Sequence, residues 1–172
     1  MIREIKLYGD PVLREMCRPV EAVDDEVRAL IDDLLETMYE ADGIGLAAPQ
    51  VGVPLRVFVY DVRDPELEPG AFINPEIVSE SGSVKDDEGC LSIPGLTELV
   101  ARSERILIRG LDAEGEPVEI DAEGLLSRCL QHEKDHLDGV LFIDHLSPLK
   151  RRMLQRKWEK MSDSERRAGG GL

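Results

Sequence analysis

The chain has 172 residues, of which 42% are hydrophobic and 33% are charged, and its formal net charge is −15. This length suits one domain with a sizeable core, and the composition excludes a disordered protein. The opening residues, MIREIKLYGD, hold charges where a signal peptide needs an apolar run, and no stretch resembles a membrane-spanning helix of about 18 apolar residues. We therefore expect a cytoplasmic protein without membrane contact. The acidic balance argues against general nucleic-acid binding, including DNA binding.

Hydrophobic periodicity predicts several helices and strands without a strict alternation between them. The expected elements are a helix over 24–42, a strand over 56–62, a hairpin over 106–121, and helices over 124–138 and 147–161. The terminal GGGL should be frayed. This order predicts an α+β fold with an N-terminal helix, antiparallel or mixed sheets, a central helix and a C-terminal helix.

The charge is unevenly distributed along the chain. Residues 147–172 contain eight Lys or Arg and three Asp or Glu, a balance of +5, which leaves −20 for residues 1–146. The predicted helix in this tail places Leu149 and Met153 along one side, with Leu154 and Trp158 close by, and that apolar surface is sufficient for docking onto the body. Lys150, Arg151, Arg152 and Lys160 should then face outward.

The stretch QHEKDHLDG, residues 131–139, contains two of the three histidines. Residues four apart lie on the same face of a helix, so His132 and His136 can bind one metal ion. Glu133 lies about 100° around the helix from His132, where it can handle the proton of an activated water. The alternative interpretation is a solvated helix face that carries two histidines.

A catalytic site of this type needs a third protein ligand. Cys129 is a poor candidate, because it is seven residues from His136, about 10 Å along a helix, and a wall position suits it better. His145 has no obvious partner, and Glu159 lies in a basic helix, where a solvated role is expected. Phe142 occupies the position at which a metzincin protease has histidine. Cys90 is left as a candidate ligand, although a small buried core cysteine is an equal interpretation.

Three motifs in this order resemble those of the bacterial peptide deformylases. They are GIGLAAPQ (43–50), EGCLS (88–92) and QHEKDHLDG (131–139). The resemblance extends over almost the whole chain, from the first predicted helix to LSPLK. It implies a hydrolase that removes the N-formyl group from the formyl-methionine of newly synthesised proteins and releases formate. Residues 1–146 would be its catalytic domain, and residues 147–172 a basic helix and frayed tail of the same domain.

The resemblance also implies a set of site residues. Cys90, His132 and His136 would bind the metal, with Fe²⁺ as the expected ion and Zn²⁺, Ni²⁺ or Co²⁺ as alternatives. Glu133 would act as general acid and base, and Gln50 and the Leu91 N–H would stabilise the oxyanion. The catalytic set also includes Gly45. The residues implied to bind substrate are Gly43, Ile44, Glu88, Leu125 and Cys129.

This sequence departs from the family pattern at three positions around the implied methionine pocket. Position 97, often arginine, is Thr97, and positions 128 and 86, often apolar, are Arg128 and Asp86. These positions should lie at the pocket rim and affect peptide preference rather than the reaction. Arg102 has no role that the sequence suggests.

Three other functions compete with that of a deformylase. A zinc endopeptidase could use the same His-Glu-x-x-His helix, but it needs a downstream ligand, for which the candidates are poor. A structural metal-binding module needs four ligands, and only three fit together here. A non-catalytic relative would lack Glu133, Gln50 or a ligand, and all are present. For the basic tail, the resemblance suggests contact with ribosomal RNA near emerging nascent chains; the alternative is a solvated helix that offsets an acidic body.

Overall fold

A computed structural model describes residues 1–168 of the chain. The helices are α1 (Asp25–Glu40), α2 (Gly124–Leu137), α3 (Pro148–Lys160) and α4 (Asp163–Ala168). The strands are β1 (Gly45–Ala47), β2 (Val57–Tyr60), β3 (Gly70–Ser81), β4 (Val84–Cys90), β5 (Ile93–Arg102), β6 (Arg105–Leu111) and β7 (Pro117–Glu123). Short 3-10 helices occur at Pro11–Arg14, Ala48–Val51 and Phe142–His145. The expected fraying of GGGL falls on residues 169–172, outside the described residues.

The strands form two antiparallel sheets within residues 1–168. The larger has the order β1-β2-β3-β6-β7, and the smaller pairs β4 with β5. The α+β expectation is therefore confirmed. No helix in this part of the chain is long and apolar enough to cross a membrane.

Strand β2 is covered by a helix on each face. Val57 and Val59 share a core cluster with the apolar face of α1, whereas Phe58 and Tyr60 share another with α2. Successive side chains of a strand point to opposite faces, so two buried faces require an uninterrupted apolar run. The sequence VFVY meets this requirement, and it holds α1 and α2 on opposite sides of the larger sheet.

Helix α2 passes through the centre of the molecule. Its residues from Leu126 to Glu133, together with His136 and Leu137, are buried. It ends as predicted before Gly139, which has a φ of +73°. A Cβ at Gly139 would lie 2.7 Å from the Arg14 carbonyl oxygen, so both the backbone conformation and the close contact require glycine. This stop fixes the end of the helix one residue after His136.

Helix α3 docks through only part of the apolar surface predicted for it. Leu154 and Trp158 are each 5% exposed and pack into the cluster that contains Cys90, whereas Leu149 and Met153 are 62% and 51% exposed. The docking expected of Leu154 and Trp158 is confirmed, whereas the part of the prediction that placed Leu149 and Met153 along the docking side is wrong. Leu154 and Trp158 are four residues apart and form their own stripe, which Tyr8 extends with a ring contact at 6.0 Å between centroids.

The predicted helices are confirmed within two residues at each end, as are the strand β2 region and the β6–β7 hairpin. Strands β1, β3, β4 and β5 and the short helix α4 were missed. Strand β3 contains Pro75 beside Asn74, which has a φ of +53°, and its register shifts at this point. The first four residues of β4, VKDD, are exposed and mostly charged, so its pattern lacks the buried alternation on which strand prediction rests.

Candidate metal centre

Cys90, His132 and His136 bring three donor atoms together in the interior. These atoms lie within 4.8 Å of one another. The His136 Nε2 is 3.2 Å from the His132 Nε2 and 3.4 Å from the Cys90 Sγ. Metal bonds of about 2.0–2.3 Å at tetrahedral angles separate ligand atoms by about 3.3–3.8 Å. The spacing therefore fits one ion, and a thiolate with two imidazoles suits a borderline metal such as zinc or ferrous iron.

Two elements position these ligands. His132 and His136 lie one turn apart on α2, and Cys90 is the last residue of β4. The register of β4 shifts between Glu88 and Cys90, so that Glu88 pairs with Glu98 while Cys90 pairs with Ile93. A bulge of this kind redirects the side chains that follow it, and here Cys90 lies against the helix. Burial lowers the pKa of His136 well below its usual range, which keeps its imidazole neutral and able to bind a metal.

Glu133 lies beside the three ligands and has an unengaged oxygen. Its Oε2 is 4.0 Å from the His132 Nε2, and its Oε1 is buried without a hydrogen-bond partner in the described residues. Burial is the largest influence on this carboxyl and raises its pKa to about 7. Gly45 approaches it closely, since a Cβ there would be 2.5 Å from the Oε2. A carboxyl with such a pKa can both accept and release a proton near neutral pH.

Gln50 is held with its amide donors directed at the ligand cluster. Its Oε1 accepts a hydrogen bond from the Ala47 N–H at 2.9 Å, which fixes the orientation of the amide. Its Nε2 is 3.6 Å from the Cys90 Sγ and donates to the Ser92 Oγ at 3.1 Å. Leu91 is buried next to Cys90, and a Cβ at Gly43 would meet its side chain at 2.7 Å. The segment from Gly43 to Gln50 therefore lies against the ligand cluster and Glu133.

Comparison with known proteins identifies the family. The chain matches the polypeptide deformylase family over residues 2–152. A peptide deformylase from Alkalilimnicola ehrlichii is 54% identical over 171 residues, which cover 99% of this chain and 96% of that protein. The crystal structure of a peptide deformylase from Legionella pneumophila aligns with a TM-score of 0.88 at 49% identity, over 93% of this chain and 95% of that one. That of the Ehrlichia chaffeensis enzyme in complex with actinonin aligns with a TM-score of 0.87 at 42% identity, over 92% and 96%.

The chain belongs to the polypeptide deformylase family.

As a deformylase, the chain is a metal-dependent hydrolase that removes the N-formyl group from nascent formyl-methionyl peptides. The resemblance drawn from the three sequence motifs is confirmed. Membership in this family also decides against a zinc endopeptidase and against a structural metal-binding module.

Glu88 lies behind the three candidate ligands of the deformylase and is fully buried. Its Oε2 accepts a hydrogen bond from the His132 Nδ1–H at 2.6 Å, because a carboxylate can only accept, so that in a neutral His132 the Nε2 is the nitrogen free to bind a metal. Burial would raise the pKa of Glu88, but hydrogen bonds from His132 and Arg102 outweigh burial and lower it. The sequence implied a role in substrate binding for Glu88; the structure instead engages both of its oxygens with protein groups.

Arg102 and His145 form a network that the sequence did not suggest. Arg102 donates to both oxygens of Glu88, from Nη2 at 2.6 Å and from Nε at 3.0 Å. Its Nη1 is 2.6 Å from the Asp135 Oδ2, which also pairs with the His145 Nε2 at 2.8 Å. No local signal could have found this network, since its members are separated by at least ten residues along the chain and their burial depends on the whole fold.

Among the remaining residues implied to bind substrate, Cys129 contacts Ile44, and Leu125 lies one turn before Cys129 on α2. Cys129 is fully buried, donates to the Ile44 carbonyl at 3.4 Å, has a pKa raised by burial, and lies outside the group formed by Cys90, His132 and His136. Leu125 is 52% exposed on the first turn of α2 and borders a cavity of about 420 Å³. Arg128 borders the same cavity, and its side chain is 7% exposed.

Proposed function

We propose that Cys90, His132 and His136 hold the deformylase's metal ion, with Fe²⁺ as the native ion and Zn²⁺, Ni²⁺ or Co²⁺ able to occupy the same ligands. The proposal is supported by the spacing of the three donor atoms and by the soft character of the thiolate. A cation bound there would polarise the formyl carbonyl and make a water molecule more acidic.

Glu133 moves the protons in this proposal. Its Oε1, which lacks a partner among the described residues, takes a proton from the attacking water and delivers it to the departing amine nitrogen. The C–N bond of the formamide breaks, and formate and a free amino terminus are the products. The elevated pKa of about 7 favours both transfers, because neither state of the carboxyl is strongly preferred at neutral pH.

Gln50 and Leu91 stabilise the oxyanion that develops during attack. The Gln50 amide is already fixed by the Ala47 N–H, so its Nε2 donors need little reorganisation. The Leu91 backbone N–H follows Cys90 directly and supplies the second donor. Loss of one such donor commonly costs about 3 kcal/mol in the barrier.

The peptide binds by extending a sheet. Strand β1 is an edge strand of the larger sheet and lies against Glu133 through Gly45. Residues Gly43 to Gly45 can pair with an extended peptide through main-chain hydrogen bonds, which do not depend on the side chains of the peptide. Ile44, Leu125 and Cys129 line the pocket for the methionine side chain. This mode suits an enzyme that accepts many different nascent chains.

A formate-release assay tests the assignment. The purified protein is incubated with a formyl-Met-Ala-Ser peptide, and formate and any internally cleaved fragments are measured together. We expect formate and an intact deformylated peptide, with inhibition by actinonin, which a relative binds. Internal cleavage without formate would contradict the proposal.

The native metal is tested by anaerobic purification followed by elemental analysis. We expect iron, and we expect activity to decay in air because the ferrous ion and the thiolate are both oxidisable. Protein reconstituted with Ni²⁺ or Zn²⁺ should decay more slowly. Equal decay of the three forms would contradict an iron-centred loss.

We further propose that residues 1–146 and the basic tail form one cytoplasmic domain, and that α3 contacts the ribosome. The proposal is supported by the docking of Leu154 and Trp158 into the cluster that contains Cys90. It is also supported by Arg152, Arg156 and Lys160, which are exposed on the opposite face of the helix. Lysine and arginine on such a face can contact RNA phosphates.

A further inference from the structure

Two buried guanidinium groups share the Glu88 carboxylate. Arg102 is the first, and its side chain is 4% exposed. Arg128 is the second: its Nη1 donates to the Glu88 Oε1 at 3.0 Å. The same Nη1 donates to the Val100 carbonyl at 2.9 Å, and Nη2 donates to the Val84 carbonyl at 2.8 Å. Even a paired buried ion commonly stabilises a protein no more than a well-packed apolar side chain would, so stability alone does not explain this arrangement.

Besides Arg102, which donates to both, the two oxygens of Glu88 have different partners. Oε2 accepts from the His132 Nδ1–H, whereas Oε1 accepts from Arg128. Arg128 and His132 are four residues apart on α2, one turn along the same face, and Glu88 reaches between them from β4. Helix α2 therefore carries both His132, which is bonded to one oxygen of Glu88, and Arg128, which holds the other oxygen.

Arg102 holds Glu88 less exclusively. Its Nη1 donates to Asp135, so its guanidinium is shared between two carboxylates, and its position depends on both of them. Among the side chains of residues 1–168, Arg128 donates only to Glu88. Its other acceptors are the backbone carbonyls of Val84 and Val100. These residues belong to the paired strands β4 and β5, whose backbone fixes the position of the guanidinium.

We infer that Arg128 is a positioning residue for the metal centre, which fixes the Glu88 carboxylate so that the His132 Nε2 stays directed at the ligand cluster. The inference rests on the proposed ligand set of Cys90, His132 and His136. Partners of metal-binding histidines of this kind commonly change metal affinity 10- to 100-fold when they are removed.

The benefit of Arg128 is geometric, because its charge acts in the opposite direction. A guanidinium near a metal cation repels it, so loss of the charge alone would tighten binding. Arg128→Lys keeps the charge but removes the planar fork that holds Glu88 and two carbonyls together. This substitution therefore isolates the positioning effect from the electrostatic one.

A purely structural role for Arg128 would act through the Val84 and Val100 carbonyls and not through Glu88. A double-mutant cycle with Glu88→Gln separates the two roles. If Arg128 acts through Glu88, Arg128→Lys should weaken metal binding in the wild-type background and have little further effect on binding in the Glu88→Gln background. If it only holds β4 to β5, its effect should be the same in both backgrounds.

The measurement is the dissociation constant for Co²⁺, by chelator competition on the full chain, with the visible absorption spectrum of the cobalt form. We expect Arg128→Lys to weaken binding about tenfold and to shift the absorption bands. In the Glu88→Gln background the same change should have less than about a twofold effect. The matched control is Arg105→Lys, at an exposed arginine of β6 that pairs with Asp121, and it should leave binding unchanged.

Cobalt binding equal to wild type in Arg128→Lys would overturn the inference, as would a tenfold loss that persists in the Glu88→Gln background. Cys90→Ser separates this failure from failure of the ligand set. If Cys90→Ser loses the cobalt spectrum while Arg128→Lys does not change it, only the Arg128 inference fails. If Cys90→Ser keeps the wild-type spectrum, the ligand set itself is wrong, and the inference falls with it.

Discussion

Helices α2 and α3 both carry charged side chains, but they place them in opposite environments. Around α2, the side chains of Glu88, Arg102 and Arg128 are 0%, 4% and 7% exposed, and each is hydrogen-bonded to another charged group. On α3, Lys150 pairs with Glu98 at the surface, and its side chain is 48% exposed. The same residue types therefore form fixed, buried hydrogen bonds around one helix and a solvent-screened ion pair on the other.

This difference determines how each region responds to substitution. A buried charge that loses its partner commonly costs 3–5 kcal/mol, because water cannot replace the missing hydrogen bonds. An exposed ion pair contributes about 0–1 kcal/mol and is weakened by salt. Single changes should therefore damage the α2 region individually, whereas the α3 region should respond only to changes made together.

The largest effects are expected in the buried region around α2, where Cys90 and Cys129 should respond differently to the same substitution. Cys90→Ala should release the metal and destabilise the protein, because the binding energy of the ion is lost from folding. Cys129→Ala should keep the metal and cost about 1–3 kcal/mol of packing, since Cys129 bonds to the Ile44 carbonyl and not to the ligand cluster. Elemental analysis measures the metal bound by each variant, and thermal unfolding measures the loss of stability. A metal-free Cys129 variant would show that the ligand set is wrong.

Glu133→Gln should keep the metal and lower turnover by about 10²–10⁴-fold. The amide preserves the size of the buried side chain but cannot accept the proton from water. Formate release and metal content are measured on the same sample. Glu159→Gln, at an exposed position of α3, is the matched control and should retain full activity. If metal and activity fall together in Glu133→Gln, the carboxylate is a ligand and not a proton carrier.

Gly45→Ala should lower turnover about 10- to 100-fold with a smaller effect on stability. The added methyl would lie 2.5 Å from the Glu133 Oε2, so the carboxyl must move away from its working position. Gly124→Ala is the control: its φ is +61°, which an alanine adopts with strain, but a Cβ there has no heavy atom within 4 Å. The expected result is loss of activity in the first variant and loss of stability in the second. The reverse pattern would show that Gly45 serves the fold alone.

The sequence predicted the parts of the site that depend on local spacing. His132 and His136 could be paired because four residues make about one helical turn, and Glu133 follows from the same geometry. Cys90 could not be chosen by spacing, since its approach to α2 depends on β4 and on the register shift that precedes it. Resemblance to the family supplied it.

The buried charge network lay beyond what the sequence could predict. Arg128 departs from the often apolar family pattern, but its spacing indicates no partner, and Arg102 is 14 residues from Glu88 along the chain. Only the β4–β5 hairpin and the burial of α2 bring these groups to one carboxylate. The fold followed the same rule: helices with strong periodicity were predicted, whereas the exposed, charged β4 was not.

The smallest effect on stability is expected from reversing charge on the outer face of α3. Arg152, Arg156 and Lys160 recur every four residues, two positions away from the buried Leu154 and Trp158, so they lie on the opposite side of the helix. Changing all three to Glu should alter the free energy of unfolding by less than about 1 kcal/mol and leave turnover of a short formyl peptide nearly intact. Cutting the chain after residue 145 is a poorer test, because it also removes the docked core residues.

The triple variant should bind ribosomes more weakly than the wild type. Co-sedimentation with ribosomes at low and moderate salt should weaken, and the salt dependence should flatten by roughly one unit of slope for each RNA phosphate that the helix no longer neutralises. The control carries the same change in net charge at exposed residues elsewhere, namely Arg18→Glu, Arg28→Glu and Lys85→Glu. Equal weakening in both triples would mean that net charge alone drives the association. Unchanged co-sedimentation of the folded α3 variant would contradict ribosome contact and leave the basic helix only the role of offsetting an acidic body. The two helices would then differ in how their charges affect stability, and not in the partners they bind.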